Sequence, residues 1–456
     1  MRNSCYGNTF YDTRIVMKFY DRTLEIVKLR KIEEQSKSSA QFTIVSGRRR
    51  IGKTCLVKEA YKDLPLVYFF VARKAEPELC STFIDALKET LDIPIPEGSV
   101  TNFAAVFKYV MELAQNQHII IMIDEFQEFY NINSSIYSDM QNIWDQYKAT
   151  ASINLIVCGS ANSLLNRIFR DAKEPLYGRH TDQMHIGVFP PSVLKEILND
   201  YNPTYTSEDL LALYAFTGGV AKYVEMMMDK GNTTYQKMLD SIFMPDSYFL
   251  GEGTNMLIEE FGKEYSTYFS ILSLIAQGYN TRGEMEDMLN CGLGGYLKKL
   301  MTDYQLINKM QPLYEKAANK NVHYEIGDCF LRFWFRFVNK YAHIIEAGSI
   351  DRLKTIVERD YPTFSGKTLE QYFLASFKEA GTYTRLGYWH DRKGNNEIDI
   401  VAEDEFEQKV VFYEVKRQAK NIDTAILRAK ADIFFQNTKQ CKNYETSFAG
   451  LSMEDM

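Results

Sequence analysis

Gly47-Arg48-Arg49-Arg50-Ile51-Gly52-Lys53-Thr54 carries the strongest signal for the fold of this chain. It has the pattern G-x-x-x-x-G-K-T, which binds phosphate where it connects a strand to a helix. An apolar run at residues 42–45 precedes it, and a helical pattern at residues 55–60 follows it. Its glycines let backbone N–H groups surround a phosphate, and the helix start adds positive potential. The alternative is a glycine turn that matches by chance, and the strand–loop–helix context argues against it.

A second motif complements this phosphate loop (residues 47–54). The apolar run 118–123 ends in Asp124 and Glu125, and the carboxyl ends of buried parallel strands are where open α/β sheets place their chemistry. We expect Lys53 to contact the β- and γ-phosphates of ATP and Thr54 to ligate Mg²⁺. Asp124 would bind that metal through a water or through Thr54, and Glu125 would polarise the attacking water. The alternative is a buried strand whose acidic end is merely solvated.

Composition limits the other classes of function. The chain has 456 residues, a 45% apolar fraction, a 25% charged fraction and a formal net charge of -7. It is long enough for about two to four domains, and any nucleic-acid contact must come from local basic patches. Seven cysteines show no C-x-x-C and no zinc spacing, which favours reduced thiols and a cytoplasmic protein. No signal peptide or membrane-length apolar run is visible.

The order of patterns along the first half predicts an α/β fold. Strand-like runs at residues 42–46, 66–72, 119–124, 153–159 and 184–189 alternate with helical patterns at 78–91, 103–115 and 138–148. This alternation predicts a parallel, doubly wound sheet. Pro190-Pro191 would end the sheet, and the helical patterns of residues 191–261 predict a lid beside the nucleotide.

Residues 262–326 have the pattern of a winged helix-turn-helix. Three helical patterns at 265–276, 281–289 and 294–303 precede two strand-like runs, 306–310 and 322–326, with a lysine-bearing loop at 315–321 between the runs. Winged helices bind DNA through the third helix, which here offers Lys298 and Lys299. DNA contact and protein contact both remain open.

The last segment, residues 361–456, follows a helical connector at 327–360 and contains a D-(x14)-E-x-K spacing. A helix at 368–380 would precede strands at 383–389, 398–403 and 410–416, with a helix at 423–437 after them. Glu414 and Lys416 share one face of their strand, and Asp399 can meet that face if the strands pair. The set would bind Mg²⁺ and polarise a phosphodiester, with Glu370 supporting from the preceding helix. The alternative is an amphipathic hairpin with solvated charges.

Several of these residues together resemble the archaeal-type ATPase family, which comprises AAA-like P-loop ATPases close to the STAND group. The motifs that carry the resemblance are, in chain order, Phe19-Tyr20-Asp21-Arg22, the phosphate loop, Asp124-Glu125-Phe126, Leu176-Tyr177-Gly178-Arg179 and Gly218-Gly219. The C-terminal domain of that family is similar to PD-(D/E)xK nucleases. Met17 looks like the natural opening of the family, so residues 1–16 are expected to form a disordered tail or to stem from a misassigned start.

The resemblance implies further roles for individual residues. Ser160 falls where a polar sensor of the γ-phosphate is expected, although a serine there could equally cap the next helix. Arg179 matches a Gly-Arg position and would stabilise transition-state charge; the alternative is a solvated loop arginine. Ala221 stands two residues after the paired glycines, where the family usually carries proline, and this departure concerns the kink by which the lid reports nucleotide state.

Taken together, the sequence predicts an ATPase whose nucleotide state gates a nuclease-like domain. The predicted divisions are a tail (1–16), a P-loop ATPase domain (17–190), a helical lid (191–261), a winged helix (262–326), a helical connector (327–360) and a small α/β nuclease-like domain (361–456). One alternative is a signalling or defence switch that uses the last domain only for docking, and another is a DNA transport or repair motor. ATP and Mg²⁺ are the expected ligands, and DNA and a second copy of the chain are candidate partners.

Overall fold

The computed structural model describes residues 17–93, 100–160, 162–314, 322–391 and 395–456. The predicted tail 1–16 and the predicted wing loop 315–321 lie outside the described residues.

Within these ranges, the first part of the chain forms a sheet of five strands in the order β2-β3-β4-β1-β5, with every pair parallel. This confirms the predicted parallel sheet. The strands are β1 (Gln41–Gly47), β2 (Leu66–Phe70), β3 (Ile119–Asp124), β4 (Ile153–Gly159) and β5 (Asp182–Ile186). The helices are α1 (Thr23–Ser36), α2 (Lys53–Ala60), α3 (Glu76–Leu91), α4 (Phe103–Leu113), α5 (Phe129–Ile132), α6 (Ile136–Tyr147) and α7 (Asn162–Arg170).

Strand β3 shows why the sheet is covered on both faces. All six of its residues are buried. Ile119, Ile121 and Ile123 join a core formed with α3, α4 and α6. Ile120 and Met122 pack on the opposite face with α1 and α2. Successive side chains of a strand point to opposite faces, so an uninterrupted apolar run fits only a doubly covered position.

Strand β5 departs most from its predicted range of 184–189. It begins at Asp182 and ends at Ile186, because Phe189 belongs to the connection with the helical lid. There the Phe189 backbone N–H donates to the Gly219 carbonyl at 2.8 Å.

The helical lid contains α8 (Pro191–Tyr201), α9 (Ser207–Thr217), α10 (Ala221–Met228), α11 (Tyr235–Ile242) and α12 (Tyr248–Phe261). Helix α8 starts at Pro191. Proline has no N–H, and this costs nothing here because an N–H in the first turn of a helix has no partner within the helix. Three helices follow, α13 (Tyr265–Gln277), α14 (Arg282–Leu289) and α15 (Gly294–Thr302), and then the antiparallel strands β6 (Ile307–Met310) and β7 (His323–Ile326). This is the predicted element order, and its assignment as a winged helix stays a prediction.

The connector differs from the sequence prediction. It contains α16 (Cys329–Phe333), a π-helical turn (Trp334–Val338) and α17 (Ala342–Glu346), followed by a helix of 31 residues, α18 (Ile350–Ala380). The predicted helix start at 368 was therefore wrong, and the predicted boundary at 360 falls inside α18. The helix passes through Pro362, which donates no backbone hydrogen bond. Buried residues recur along one face of α18 and hold it across the proline, at Leu353, Val357, Tyr361, Ser365, Leu369 and Tyr372.

The C-terminal part contains a sheet in the order β11-β10-β9-β8. Its elements are β8 (Arg385–His390), β9 (Glu397–Asp404), β10 (Lys409–Val415), α19 (Thr424–Asn437) and β11 (Glu445–Leu451). Strand β11 pairs parallel to β10 and was not predicted. One face of the sheet packs on α19, and the other joins a core that continues through α18 into the helical lid.

Candidate functional site

The phosphate loop connects β1 to α2 and requires glycine at two positions, Gly47 and Gly52. Gly47 has φ 153° and Gly52 has φ 94°, conformations that L side chains rarely adopt. A Cβ on Gly47 would also lie 2.5 Å from the Ile186 carbonyl oxygen. The loop therefore takes its shape from the glycines and from the neighbouring strand β5.

Lys53 points back over the loop. Its Nζ donates to the Gly47 carbonyl at 2.9 Å and to the Arg48 carbonyl at 3.0 Å. The residue is only 7% exposed. Burial lowers the pKa of Lys53, while the nearby Glu125 and Asp124 act in the opposite direction. Among the described residues this buried ammonium donates to carbonyl oxygens and to no carboxylate, which suits a site that receives an anion.

Asp124 contacts the end of the phosphate loop directly. Its Oδ2 accepts a hydrogen bond from Thr54 Oγ1 at 2.6 Å and another from the Tyr68 hydroxyl at 3.1 Å. The hydroxyl of Thr54 and the carboxylate of Asp124 are hard oxygen ligands, the kind that Mg²⁺ takes in proteins. The residues present therefore fit the metal that the sequence predicts here.

Glu125 adopts a left-handed backbone conformation, φ 54°, immediately after β3. One carboxylate oxygen, Oε2, accepts hydrogen bonds from Ser160 Oγ at 3.0 Å and from Gln127 Nε2 at 2.5 Å. The sequence analysis did not single out Gln127. It lies in the 3₁₀ turn Phe126–Glu128, and no motif spacing pointed to its side chain.

These groups border a cavity of about 720 Å³ beneath the lid. Lys53, Thr54, Asp124 and Glu125 line one side. The other sides are formed by the start of the described chain and by the lid, including Phe19, Tyr20, Phe189, Ala221, Lys222 and Tyr248. The lining combines charged groups with aromatic rings, and ligand pockets typically join apolar walls to a few convergent polar groups.

The three arginines of the phosphate loop contact the lid and the connector. Arg48 forms an ion pair with Asp328, and Arg49 pairs with Glu259 at 2.8 Å. Arg50 pairs with the fully buried Glu252 of α12, and its guanidinium lies 5.3 Å from the centre of the Tyr248 ring. The loop that should hold phosphate is thus joined to α12 by two ion pairs. These contacts join residues more than 200 positions apart in the sequence, so local sequence could not reveal them.

The structure also places Arg179 and Ala221, two residues that the family resemblance drew attention to. Arg179 pairs with Asp145 of α6 at 3.1 Å and does not line the cavity. Ala221 does line it, and the next residue, Lys222, donates its backbone N–H to the Arg50 carbonyl at 3.1 Å. The start of α10 therefore contacts the phosphate loop without the proline that the family usually carries.

The C-terminal spacing brings its three residues together. Strands β9 and β10 are antiparallel with Tyr413 opposite Ile400, so Glu414 follows opposite Asp399 on one face. Lys416 Nζ lies 3.2 Å from Asp399 Oδ2 and 3.3 Å from Glu414 Oε1. Asp399 Oδ2 also accepts the Val415 backbone N–H at 2.8 Å. The two carboxylates converge on one ammonium group.

Glu370 lies on α18 beside this group. It pairs with Lys367 at 2.5 Å. Burial raises the pKa of Glu370 to about 7; Lys367 opposes that shift and the negative charge of Asp399 adds to it. Among the described residues, no three His, Cys, Asp or Glu side chains lie close enough together to hold a metal ion. A divalent ion would have to share this place with the Lys416 ammonium.

The predicted recognition helix α15 carries little free positive charge. Lys299 pairs with Glu264 at 3.4 Å, and Lys298 is exposed. In the part of the chain that the structure describes, no helix has the length and apolar character needed to cross a membrane.

Comparisons with known proteins relate the first part of the chain to an ATPase family. Residues 19–227 match a family described as an ATPase domain predominantly from Archaea, and residues 334–427 match archaeal and bacterial proteins of unknown function. An uncharacterized protein of Methanocaldococcus jannaschii is 28% identical over 408 residues, 87% of each chain. An ATP-binding protein of the same organism is 22% identical over 259 residues, 47% of this chain and 71% of its own.

A solved structure shows the same fold. The Walker-type ATPase of Pyrococcus abyssi superposes with a TM-score of 0.53 at 18% identity, over 70% of this chain and 96% of its own. The N-terminal part of this chain is therefore similar to archaeal ATPase domains, and its parallel five-stranded sheet resembles that of P-loop ATPases.

Proposed function

We propose that this protein binds ATP with Mg²⁺ at residues 47–54 and hydrolyses it with Glu125 as the general base. One observation carries the proposal: the 2.6 Å hydrogen bond between Thr54 and Asp124, which links the end of the phosphate loop to the acidic end of β3 beside Glu125. Lys53 would bind the β- and γ-phosphates, and backbone N–H groups of the loop would bind the others. Thr54 and Asp124 would hold Mg²⁺, which supplies positive charge to the phosphate oxygens.

The proposed chemical step is attack of water on the γ-phosphorus. The water oxygen forms a bond to that phosphorus, and the bond to the bridging oxygen breaks with its electron pair leaving on ADP. The water proton passes to the Glu125 carboxylate and then to solvent. Ser160 is kept as a candidate sensor of the γ-phosphate. Arg179, which pairs with Asp145, would have to leave that partner before it could reach the nucleotide.

Two substitutions test the proposal. Lys53→Ala should abolish binding of a fluorescent ATP analogue, because it removes the buried ammonium. Glu125→Gln should retain binding and lower the hydrolysis rate by about 10²–10⁴-fold, the usual contribution of a general base. Lys62→Ala and Glu59→Gln are matched controls, since these residues pair with each other on the surface of the same domain. Wild-type turnover in Glu125→Gln would refute the assignment of the base.

A second proposal concerns the domain of residues 361–456. We infer that it contains a Mg²⁺-dependent nuclease-like site built from Asp399, Glu414 and Lys416. The convergence of both carboxylates on Lys416 favours it over a hairpin with solvated charges. Glu370 would support the site from α18. If the site is inactive, the domain would serve for docking, and the protein would act as an ATP-dependent signalling or defence switch.

Cleavage of single- and double-stranded DNA with Mg²⁺ or Mn²⁺, with and without ATP, separates these alternatives. Asp399→Asn keeps the acceptor for the Val415 N–H and removes the charge, so cleavage should stop while ATP binding persists. Lys416→Ala should have the same effect. Lys409→Ala, an exposed lysine on the same strand, is the control. Wild-type protein that cleaves no nucleic acid under any of these conditions would favour the docking role, and ATP turnover stimulated by DNA would favour a motor.

We further propose that α9 carries nucleotide state to the C-terminal domain. Just after the C-terminal end of α9, the Gly219 carbonyl accepts a hydrogen bond from the backbone N–H of Phe189, a residue that lines the cavity. Near its start, Glu208 forms an ion pair with Arg417, the residue next to Lys416. Arg417 also donates to Ser365 of α18. A change at the cavity that shifts α9 would therefore act on the strand end that carries Lys416.

A further inference from the structure

The side-chain amide of Gln127 donates a hydrogen bond to the carboxylate of Glu125. Gln127 is 3% exposed, and its Nε2 lies 2.5 Å from Glu125 Oε2. The amide must present its nitrogen to that oxygen, because two facing oxygens would repel each other. Ser160 donates to the same oxygen. Among the described residues no donor contacts the other carboxylate oxygen, Oε1.

Two energetically unfavourable features accompany the hydrogen bond between Gln127 and Glu125: an unpaired amide oxygen and a left-handed backbone. Gln127 Oε1 is buried and accepts no hydrogen bond within the described ranges, although buried polar atoms are nearly always paired. Its place exists only because residue 159 is glycine: a Cβ there would lie 2.3 Å from Gln127 Oε1. The neighbouring Glu125 is held in a left-handed conformation. Strained and unpaired groups of this kind concentrate at functional sites.

We propose that Gln127 is a positioning residue for ATP hydrolysis. Together with Ser160 it fixes Glu125 Oε2, so that Oε1 is the oxygen directed to the attacking water. The amide acts only through the carboxylate and touches neither nucleotide nor water. This proposal rests on the proposed role of Glu125 as general base.

A purely structural role for the amide does not account for the contacts. The backbone at this turn is held independently, because the Tyr137 hydroxyl donates to the carbonyls of Phe126 and Gln127. Truncating the Gln127 side chain therefore removes the amide from Glu125 and leaves the turn anchored. Within the described ranges, the Gln127 side chain donates only to Glu125.

The test is a double-mutant cycle on the full chain. Gln127→Ala should lower kcat for ATP by about 10- to 100-fold, because a base without fixed orientation loses part of its contribution. The KM for ATP and the affinity for a fluorescent ATP analogue should stay within about twofold, since the phosphate contacts are unchanged. Gln127→Asn, one methylene too short to reach Glu125, should behave as Gln127→Ala does.

The decisive measurement is the effect of Gln127→Ala in the Glu125→Gln background, where it should not lower the residual rate further. Gln115→Ala, an exposed glutamine of the same domain, is the matched control and should leave kcat unchanged. Wild-type kcat in Gln127→Ala, or equal losses in both backgrounds, would overturn the positioning role. If wild-type protein fails to bind or hydrolyse ATP, the proposed function itself has failed, and that result is distinct from either of these.

Discussion

At the scale of single residues, the orientation of Glu125 depends on Gln127, and the position of Gln127 depends on Gly159. Gln127 reaches Glu125 across the end of β3, and it can lie there only because Gly159 at the end of β4 has no side chain. The chemistry proposed for Glu125 thus depends on a backbone position on a neighbouring strand. A substitution at Gly159 should change activity although the residue carries no functional group.

Gly159→Ala should reduce kcat about as much as Gln127→Ala does. The new methyl group would also lie 2.7 Å from Leu165 Cδ1, and such overpacking costs about 1–3 kcal/mol of unfolding free energy. Steady-state ATPase rates and urea unfolding measure the two effects. Gly187→Ala is the control, because nothing lies within 4 Å of a Cβ built there. A folded Gly159→Ala protein with wild-type kcat would contradict the dependence.

At the scale of elements, α12 contacts both the phosphate loop and the π-helical turn of the connector, Trp334–Val338. Its Glu252 and Glu259 pair with Arg50 and Arg49 of the loop. On another side of the helix, Gly253 packs directly against the indole ring of Trp334. The Trp334 Nε1–H donates to the Leu250 carbonyl of α12 at 3.0 Å. Close approach at Gly253 therefore helps to fix the helix that contacts the loop.

Gly253→Ala should destabilise the protein by about 1–3 kcal/mol, because a Cβ would lie 2.2 Å from the Trp334 ring and force the two elements apart. Gly251→Ala in the same helix is the matched control. Its Cβ would meet only Asn255 at 3.6 Å, and Gly-to-Ala changes in exposed helix positions stabilise by up to about 1 kcal/mol. Urea unfolding of both variants gives the comparison, and equal stabilities would show that α12 and Trp334 can separate freely.

At the scale of the whole molecule, the lid and the C-terminal sheet share one continuous apolar core through α18. Parts that share a core move together more readily than parts joined by a polar linker. The ion pair between Glu208 and Arg417 crosses the same boundary beside Lys416. Nucleotide-dependent motion of the lid should therefore reach the C-terminal domain.

Hydrogen exchange can measure this coupling in the Glu125→Gln protein, which should bind ATP without turning it over. Saturating ATP should change the exchange rates of amides in β10 and in the turn after it. Adding Glu208→Gln and Arg417→Gln should reduce that change and leave the ATP-induced protection of the phosphate loop intact. Asp240→Asn, which removes an exposed pair with Lys354 of α18, is the control. An unchanged response in the double variant would exclude α9 as the route.

The sequence alone specified the parallel sheet, because its strands are apolar runs whose period and flanking turns are local properties. It also specified the phosphate loop and the two carboxylates at the end of β3, since their spacing is set along the chain. Strand β11 was missed because it is only half-buried and contains Gly450, so its residues carry little strand signal until β10 supplies a partner. The start of α18 was misjudged because proline disfavours a helix interior. Pro362 lies on the exposed face of α18, and burial of the other face keeps the helix continuous through it.

Tertiary structure alone decided which side chains meet at the candidate sites. The contacts of Arg48, Arg49 and Arg50 with the lid and connector join segments far apart in sequence, and so does the pairing of Arg417 with Glu208. Gln127 became visible as a partner of Glu125 only once the ends of β3 and β4 lay side by side. Motifs record the groups whose spacing along the backbone is fixed, whereas positioning groups are chosen by proximity in the folded chain, which no local pattern encodes.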